Sequence, residues 1–285
     1  MKSSASLPTA GSCAPTSAPQ QTPATLAANA RPVVSLQGVV RHFGRFAALR
    51  GVTAEFAAGK LFLILGENGA GKSTLLRIMA GLLKPTRGSV TMLGSTDLRE
   101  VASRMGYMGH APLLYDELSA MENLRYFAGL YGIGNSGDDD ARCRAAIRLV
   151  GLDPELKRGV GQYSQGMRQR ISLARAIVHD PELLLLDEPF SNVDVQSARE
   201  MARLLGNMRD DGKTIFVVTH QPIVLEAVAD ESLLLSAGLL AARERGLPEY
   251  LKFPYSQRAD HPEEDLDKDK HNDGACPGSA EGGDR

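Results

Sequence analysis

Short apolar runs alternate with longer amphipathic stretches along this chain. Val33–Val40, Gly51–Phe56, Lys60–Leu65 and Ser89–Leu93 read as strands in the first third, and Leu183–Leu186, Ile215–Thr219 and Ser232–Leu235 in the last. Helical spacing is expected over Ser73–Leu83 and Val195–Asp210, and across most of residues 117–180 with breaks at Gly132–Gly137 and Gly159–Gly161. Strands that alternate with helices predict an α/β fold around a parallel sheet, with the long middle stretch inserted as a helical unit.

The two ends differ from this pattern. Residues 1–32 are mostly Ala, Ser, Thr, Pro and Gln, a composition expected to stay disordered, with no apolar segment of signal-peptide kind. From residue 257 to the last, nine acidic residues stand against four basic ones, as in a solvated acidic tail. The body between them, residues 33–256, is expected to form the folded domain.

Composition excludes several classes. The formal net charge of −2 gives no basic field for nucleic acid, and none is expected as a partner. Cys13, Cys143 and Cys276 lack the spacing of a zinc site or disulfide framework. No apolar run approaches the roughly 20 residues of a membrane-spanning helix, so a membrane role requires another chain.

Chemistry is concentrated at three strand ends. Gly66-Glu67-Asn68-Gly69-Ala70-Gly71-Lys72-Ser73-Thr74 follows an apolar strand and opens a helix, the context of a phosphate-binding loop. Its glycines let backbone N–H groups turn toward phosphate oxygens. Lys72 is expected at the β- and γ-phosphates and the Ser73 hydroxyl on Mg²⁺. Leu183–Leu186 ends in Asp187 and Glu188, placing one carboxylate to hold Mg²⁺ and the next to act as general base on water. Ile215–Thr219 ends in His220, one strand–helix–strand unit later, where an imidazole can reach the γ-phosphate and the lytic water.

These elements, in this order, resemble the nucleotide-binding subunits of ABC transporters over about residues 33–240. The resemblance implies a P-loop NTPase with a RecA-like parallel-sheet core, an N-terminal antiparallel β subdomain and a helical subdomain at about residues 111–178. It also implies ATP and Mg²⁺ as ligands, ATP hydrolysis coupled to transport, and an integral-membrane permease on a separate chain. The subunit would then sit peripherally on the cytoplasmic face of the plasma membrane.

Other positions take their roles from the resemblance alone. Phe43, in Arg41-His42-Phe43-Gly44, matches the aromatic that stacks on adenine. Tyr163-Ser164-Gln165-Gly166-Met167 stands where the family carries Leu-Ser-Gly-Gly-Gln, so only Ser164 and Gly166 agree. Those two are expected to contact ATP held by a second subunit in a head-to-tail dimer, with the Ser191–Asp194 loop crossing between subunits. His110 occupies the place of a Gln that ligates Mg²⁺. His110, Thr219-His220-Gln221 and Asp187-Glu188-Pro189-Phe190-Ser191 together look like the haem-exporter ATPases of cytochrome c maturation. Multidrug-type ATPases share parts of these motifs. A soluble ABC ATPase acting on DNA or ribosomes fits less well, because the chain carries neither a long coiled coil nor two ATPase units. A silent nucleotide sensor is disfavoured by the intact Lys72, Asp187, Glu188 and His220.

Overall fold

The computed structural model describes residues 32–133 and 139–252; both predicted disordered tails lie essentially outside them. In chain order it has β1 (Val34–Phe43), β2 (Phe46–Phe56), β3 (Leu61–Leu65), α1 (Lys72–Met79), β4 (Arg87–Met92) and β5 (Met105–Met108). The helices α2 (Ala120–Leu130), α3 (Asp139–Leu149) and α4 (Gln165–Ile177) follow. The chain returns to the sheet with β6 (Leu183–Asp187), α5 (Val195–Asp210), β7 (Thr214–Val218), β8 (Glu231–Ser236), β9 (Leu239–Arg245) and α6 (Glu249–Lys252).

Two sheets form. The smaller is antiparallel, in the order β2-β1-β4. The larger runs β5-β6-β7-β3-β8-β9 and is parallel except for β9. Every residue of β3, β6 and β7 is buried, as expected for central parallel strands covered on both faces. Their alternation divides the core in two. Leu63, Leu186 and Val217 face the helical side, with Leu173 of α4 and Leu205 of α5. Phe62, Leu185 and Phe216 face the antiparallel sheet and α1, with Val52 and Leu76. On this second side Phe62 and Phe216 stack at 4.7 Å, and Phe56 meets each edge-on at 5.0 Å.

Helices α2, α3 and α4 pack together in the middle stretch. Local chemistry starts α2: Ser119 Oγ accepts from Glu122 N, and the Glu122 carboxylate accepts from Ser119 N at 2.8 Å, a reciprocal capping box. One turn on, the fully buried Asn123 accepts from Tyr115 N at 2.8 Å and donates back to Tyr115 O at 3.0 Å. That pair fastens the loop that follows His110.

Two strands were not expected from the sequence. β5 is only Met-Gly-Tyr-Met, and its glycine is required by close packing: a Cβ at Gly106 would lie 2.2 Å from Ala176 O of α4. β9 is an edge strand whose exposed Arg243-Glu244-Arg245 end hides the apolar signal. The β1–β2 hairpin also extends beyond its predicted ends, to Phe43 and Phe46 around a Gly44-Arg45 turn. Ladder hydrogen bonds continue there after the apolar alternation has faded.

Candidate functional site

The carboxyl ends of β3, β7 and β6 lie side by side, because β7 sits between the other two. Ile64 pairs with Val218, and Val218 pairs with Asp187, so the three strand ends finish level. The loop after β3 turns sharply into α1. Gly66 has φ +140°, and a Cβ there would meet Leu235 O at 2.1 Å. Gly71, the N-cap of α1, has φ +104°, and its Cβ would fall 2.5 Å from Ala48 O. Only glycine fits either position. No side chain caps α1 and its first turn has no acid, which leaves that helix end suited to an anion.

Lys72 is buried at the floor of this loop, donating to Gly66 O at 2.7 Å and Glu67 O at 2.9 Å. Burial pulls its pKa down, opposed by the attraction of Glu188 and Asp187. Asn68, Gly69, Ser73 and Thr74 also line the cleft; Ala70 turns into the core and Glu67 is exposed.

Asp187 is 1% exposed and accepts from Ser73 Oγ at 3.0 Å through Oδ1. Its Oδ2 is buried with no hydrogen-bond partner. A hydroxyl beside a carboxylate with one oxygen unspent is a hard-oxygen donor set that fits Mg²⁺. His110 lines the same cleft, at the end of the segment leaving β5.

Glu188 carries the most unusual backbone of the site. Its φ is +56°, a left-handed conformation that costs a non-glycine residue about 1–3 kcal/mol. Its N–H donates to Val218 O at 2.8 Å, and its carbonyl accepts from Gln169 Nε2 at 2.7 Å and Ser191 N at 3.2 Å. Its carboxylate accepts from His220 N at 3.1 Å through Oε2, while Oε1 lies 3.4 Å from His220 Nε2 with no hydrogen bond of its own. Burial raises the Glu188 pKa. The His220 N–H, the His220 side chain and Lys72 oppose that rise, and Asp187 adds to it. A carboxylate with a raised pKa and one uncommitted oxygen has the properties of a general base.

The mouth of the cleft, about 540 Å³ in volume, is aromatic. Phe43 and Phe46 face each other across the hairpin end, 47% and 60% exposed, and the Arg41 guanidinium lies 4.7 Å from the Phe43 ring centre. Exposed paired rings beside a phosphate loop suit a planar base.

The structure thus gathers Phe43, the phosphate loop, His110, Asp187, Glu188 and His220 into one cleft. It does not bring Ser164, Gly166 or Asp194 there. Ser164 caps α4 by accepting from Met167 N at 3.2 Å, and Gly166 packs against Asn192 O of the loop before α5. Asp194 caps α5 by accepting from Ser197 N at 2.9 Å. Phe46 and Arg77 line the cleft without having been expected there, and Ser191, expected only in the loop that crosses between subunits, lines it as well. Phe46 had the signal of an aromatic three residues past Phe43. Gln169 lies in the run after Met167 that continues the family pattern, but only the fold puts α4 against the Glu188 carbonyl.

Residues 49–191 match the family model described as ABC transporter. The chain belongs to that family. It is 36% identical to the ABC transporter ATP-binding protein NatA of Bacillus subtilis over 195 residues, covering 67% of this chain and 79% of that protein. With the bacitracin transport ATP-binding protein BcrA of Bacillus licheniformis it shares 32% identity over 212 residues, 73% and 68% of the two chains. A dimeric bacterial ABC transporter cassette of known structure superposes with a TM-score of 0.69 at 27% identity, over 74% of this chain and 98% of that one. The same cassette is known in a post-hydrolysis state with ADP and phosphate. This ABC transporter subunit is an ATPase that uses ATP with Mg²⁺, on a P-loop fold with a parallel sheet and an antiparallel β subdomain.

Proposed function

We propose that this ATPase works as a head-to-tail dimer on the cytoplasmic face of the plasma membrane, driving export of a multidrug-type substrate through a permease on another chain. One observation carries the dimer: the cleft holds the phosphate loop, acid pair and His220, while Ser164 and Gly166 at the start of α4 stand apart from it. In this reading the α4 end of one subunit closes the cleft of the other, with Ser164 Oγ and Gly166 N–H facing the γ-phosphate. Asp194 acts by anchoring the Ser191–Asp194 loop through its α5 cap.

Within one subunit, Phe43 stacks on adenine, and the Gly66–Thr74 loop with Lys72 holds the phosphates. Ser73, Asp187 and His110 are the residues that would hold Mg²⁺, which supplies charge neutralisation on the phosphates. Glu188 takes the proton of the attacking water through Oε1. His220 steadies the γ-phosphate and, through its N–H on Oε2, the base itself. Among the described residues no helix is long and apolar enough to cross a membrane, which supports placing the permease on another chain. Export is favoured by relatives such as the fluoroquinolones export ATP-binding protein of Mycobacterium tuberculosis, 33% identical over 231 residues, 79% of this chain and 74% of that protein.

Haem export is a second reading, resting on His110 and the short runs Thr219–Gln221 and Asp187–Ser191. The dimer is tested by gel filtration of Glu188→Gln with ATP, which should double in mass; a monomer at saturating ATP sinks it. The cargo is tested with the permease in vesicles. ATP turnover stimulated by haem, and by no cationic drug or peptide antibiotic, would replace the multidrug reading.

A further inference from the structure

The Glu188 backbone is anchored at three points, and one of them belongs to no motif of the cleft. Its N–H is tied to β7 through Val218 O, and its carbonyl takes the Ser191 N–H that closes the following turn. The same carbonyl also takes the Gln169 amide at 2.7 Å, the shorter of its two bonds. Gln169 is 6% exposed and belongs to α4, a helix remote from Glu188 in the chain. The amide nitrogen must face Glu188, because its oxygen would confront the carbonyl lone pairs.

α4 is itself held firmly. Ser172 Oγ donates to Pro112 O at 3.2 Å and Arg175 to Tyr107 O at 3.2 Å, so both ends of the segment carrying His110 are bonded to it. Gln169 therefore reaches Glu188 from a fixed platform. A left-handed conformation at a non-glycine residue persists only when its surroundings hold it there. Bonds at both its N–H and its carbonyl fix the φ and ψ of Glu188, and with them the direction in which its side chain leaves the backbone toward the His220 N–H.

We propose that Gln169 is a positioning residue for ATP hydrolysis: its amide holds the Glu188 carbonyl so that the left-handed turn aims the carboxyl into the cleft. The proposal rests on the reading of Glu188 as the base. Gln169 does not line the cleft, so its loss should act on turnover and spare ATP binding.

The experiment uses the full chain, comparing native protein with Gln169→Met, which keeps the volume and removes the donor, and Gln169→Lys, which restores a donor of similar reach. ATP turnover and binding of a fluorescent ATP analogue are both measured. Expected are a kcat at least tenfold lower in Gln169→Met with binding within twofold of native, and recovery to within threefold of native in Gln169→Lys. Native kcat in Gln169→Met overturns the proposal. So does equal loss in the lysine variant, or a fall in binding that parallels kcat. If thermal melting shows that Gln169→Met does not fold, Gln169→Ala takes its place and is read the same way. Glu188→Gln run alongside separates the two claims: native turnover there defeats the base reading itself, before any statement about Gln169.

Discussion

Glu188 is held between opposing influences. Burial favours its neutral acid, and the His220 N–H, the His220 side chain and Lys72 favour its carboxylate; burial prevails and the pKa rises. Three outcomes are expected at this residue. In Glu188→Gln, kcat should fall about 10²–10⁴-fold, the usual worth of a general base, while ATP binding stays near native. In the native enzyme, kcat should fall on the acid side at a pH above the ordinary carboxylate range. Stability should move the opposite way from activity. A carboxyl whose pKa is raised by folding contributes stability that is present below its unfolded pKa and lost as pH rises through the folded value. At neutral pH, Glu188→Gln should therefore melt above native, by roughly 2 °C, and the gain should vanish as pH falls through the Glu188 titration. Melting curves across that range check it. The residue types at this site were readable from sequence, since two acids after a buried strand and a His after the next have few other uses beside a phosphate loop. The left-handed backbone at Glu188 was not, because it is imposed by bonds from Val218, Ser191 and Gln169.

At the scale of elements, the hairpin β1–β2 and the turn into α1 make separate demands. The hairpin carries Phe43 and Phe46 at its exposed end, where neither ring contributes to the core. Replacing either with Ala should weaken ATP binding roughly tenfold, within the roughly 1–3 kcal/mol range of base stacking, and leave the melting temperature unchanged. Equilibrium binding and melting measured together separate that from a folding defect. Gly71→Ala should behave differently. Its Cβ would press on Ala48 O at 2.5 Å in a conformation with φ +104°, forcing the start of α1 away from the phosphates. Strain of about 1–3 kcal/mol corresponds to roughly a five- to 150-fold loss of ATP affinity. The phosphate loop was legible because its requirement is local, a run of glycines between strand and helix. β5 and β9 were not, since a four-residue strand and a charged edge strand take their conformation from the neighbours they pair with.

The whole molecule is organised by the parallel sheet, whose two faces serve different partners. Phe216 belongs to the face that meets the antiparallel sheet, stacked on Phe62 and edge-on to Phe56. Phe216→Ala should cost about 3–5 kcal/mol, lowering the melting temperature by roughly 10 °C. Denaturant melts would show the loss as a lower midpoint at unchanged slope. The alternating apolar runs were enough to imply a parallel sheet with an inserted helical unit, and the motifs at strand ends were enough to imply triphosphate chemistry. Both depend on neighbours in the chain: side-chain period, glycine spacing, and the residue types just past a buried strand. Strand order is another matter. That β7 lies between β3 and β6, so that the His220 N–H meets the Glu188 carboxylate, is set by long-range packing of the whole sheet. The same packing sets α4 against the Glu188 carbonyl and leaves Ser164 and Gly166 outside their own cleft. Contacts between residues so far apart in the chain leave no period and no spacing to read, and only the folded sheet decides them.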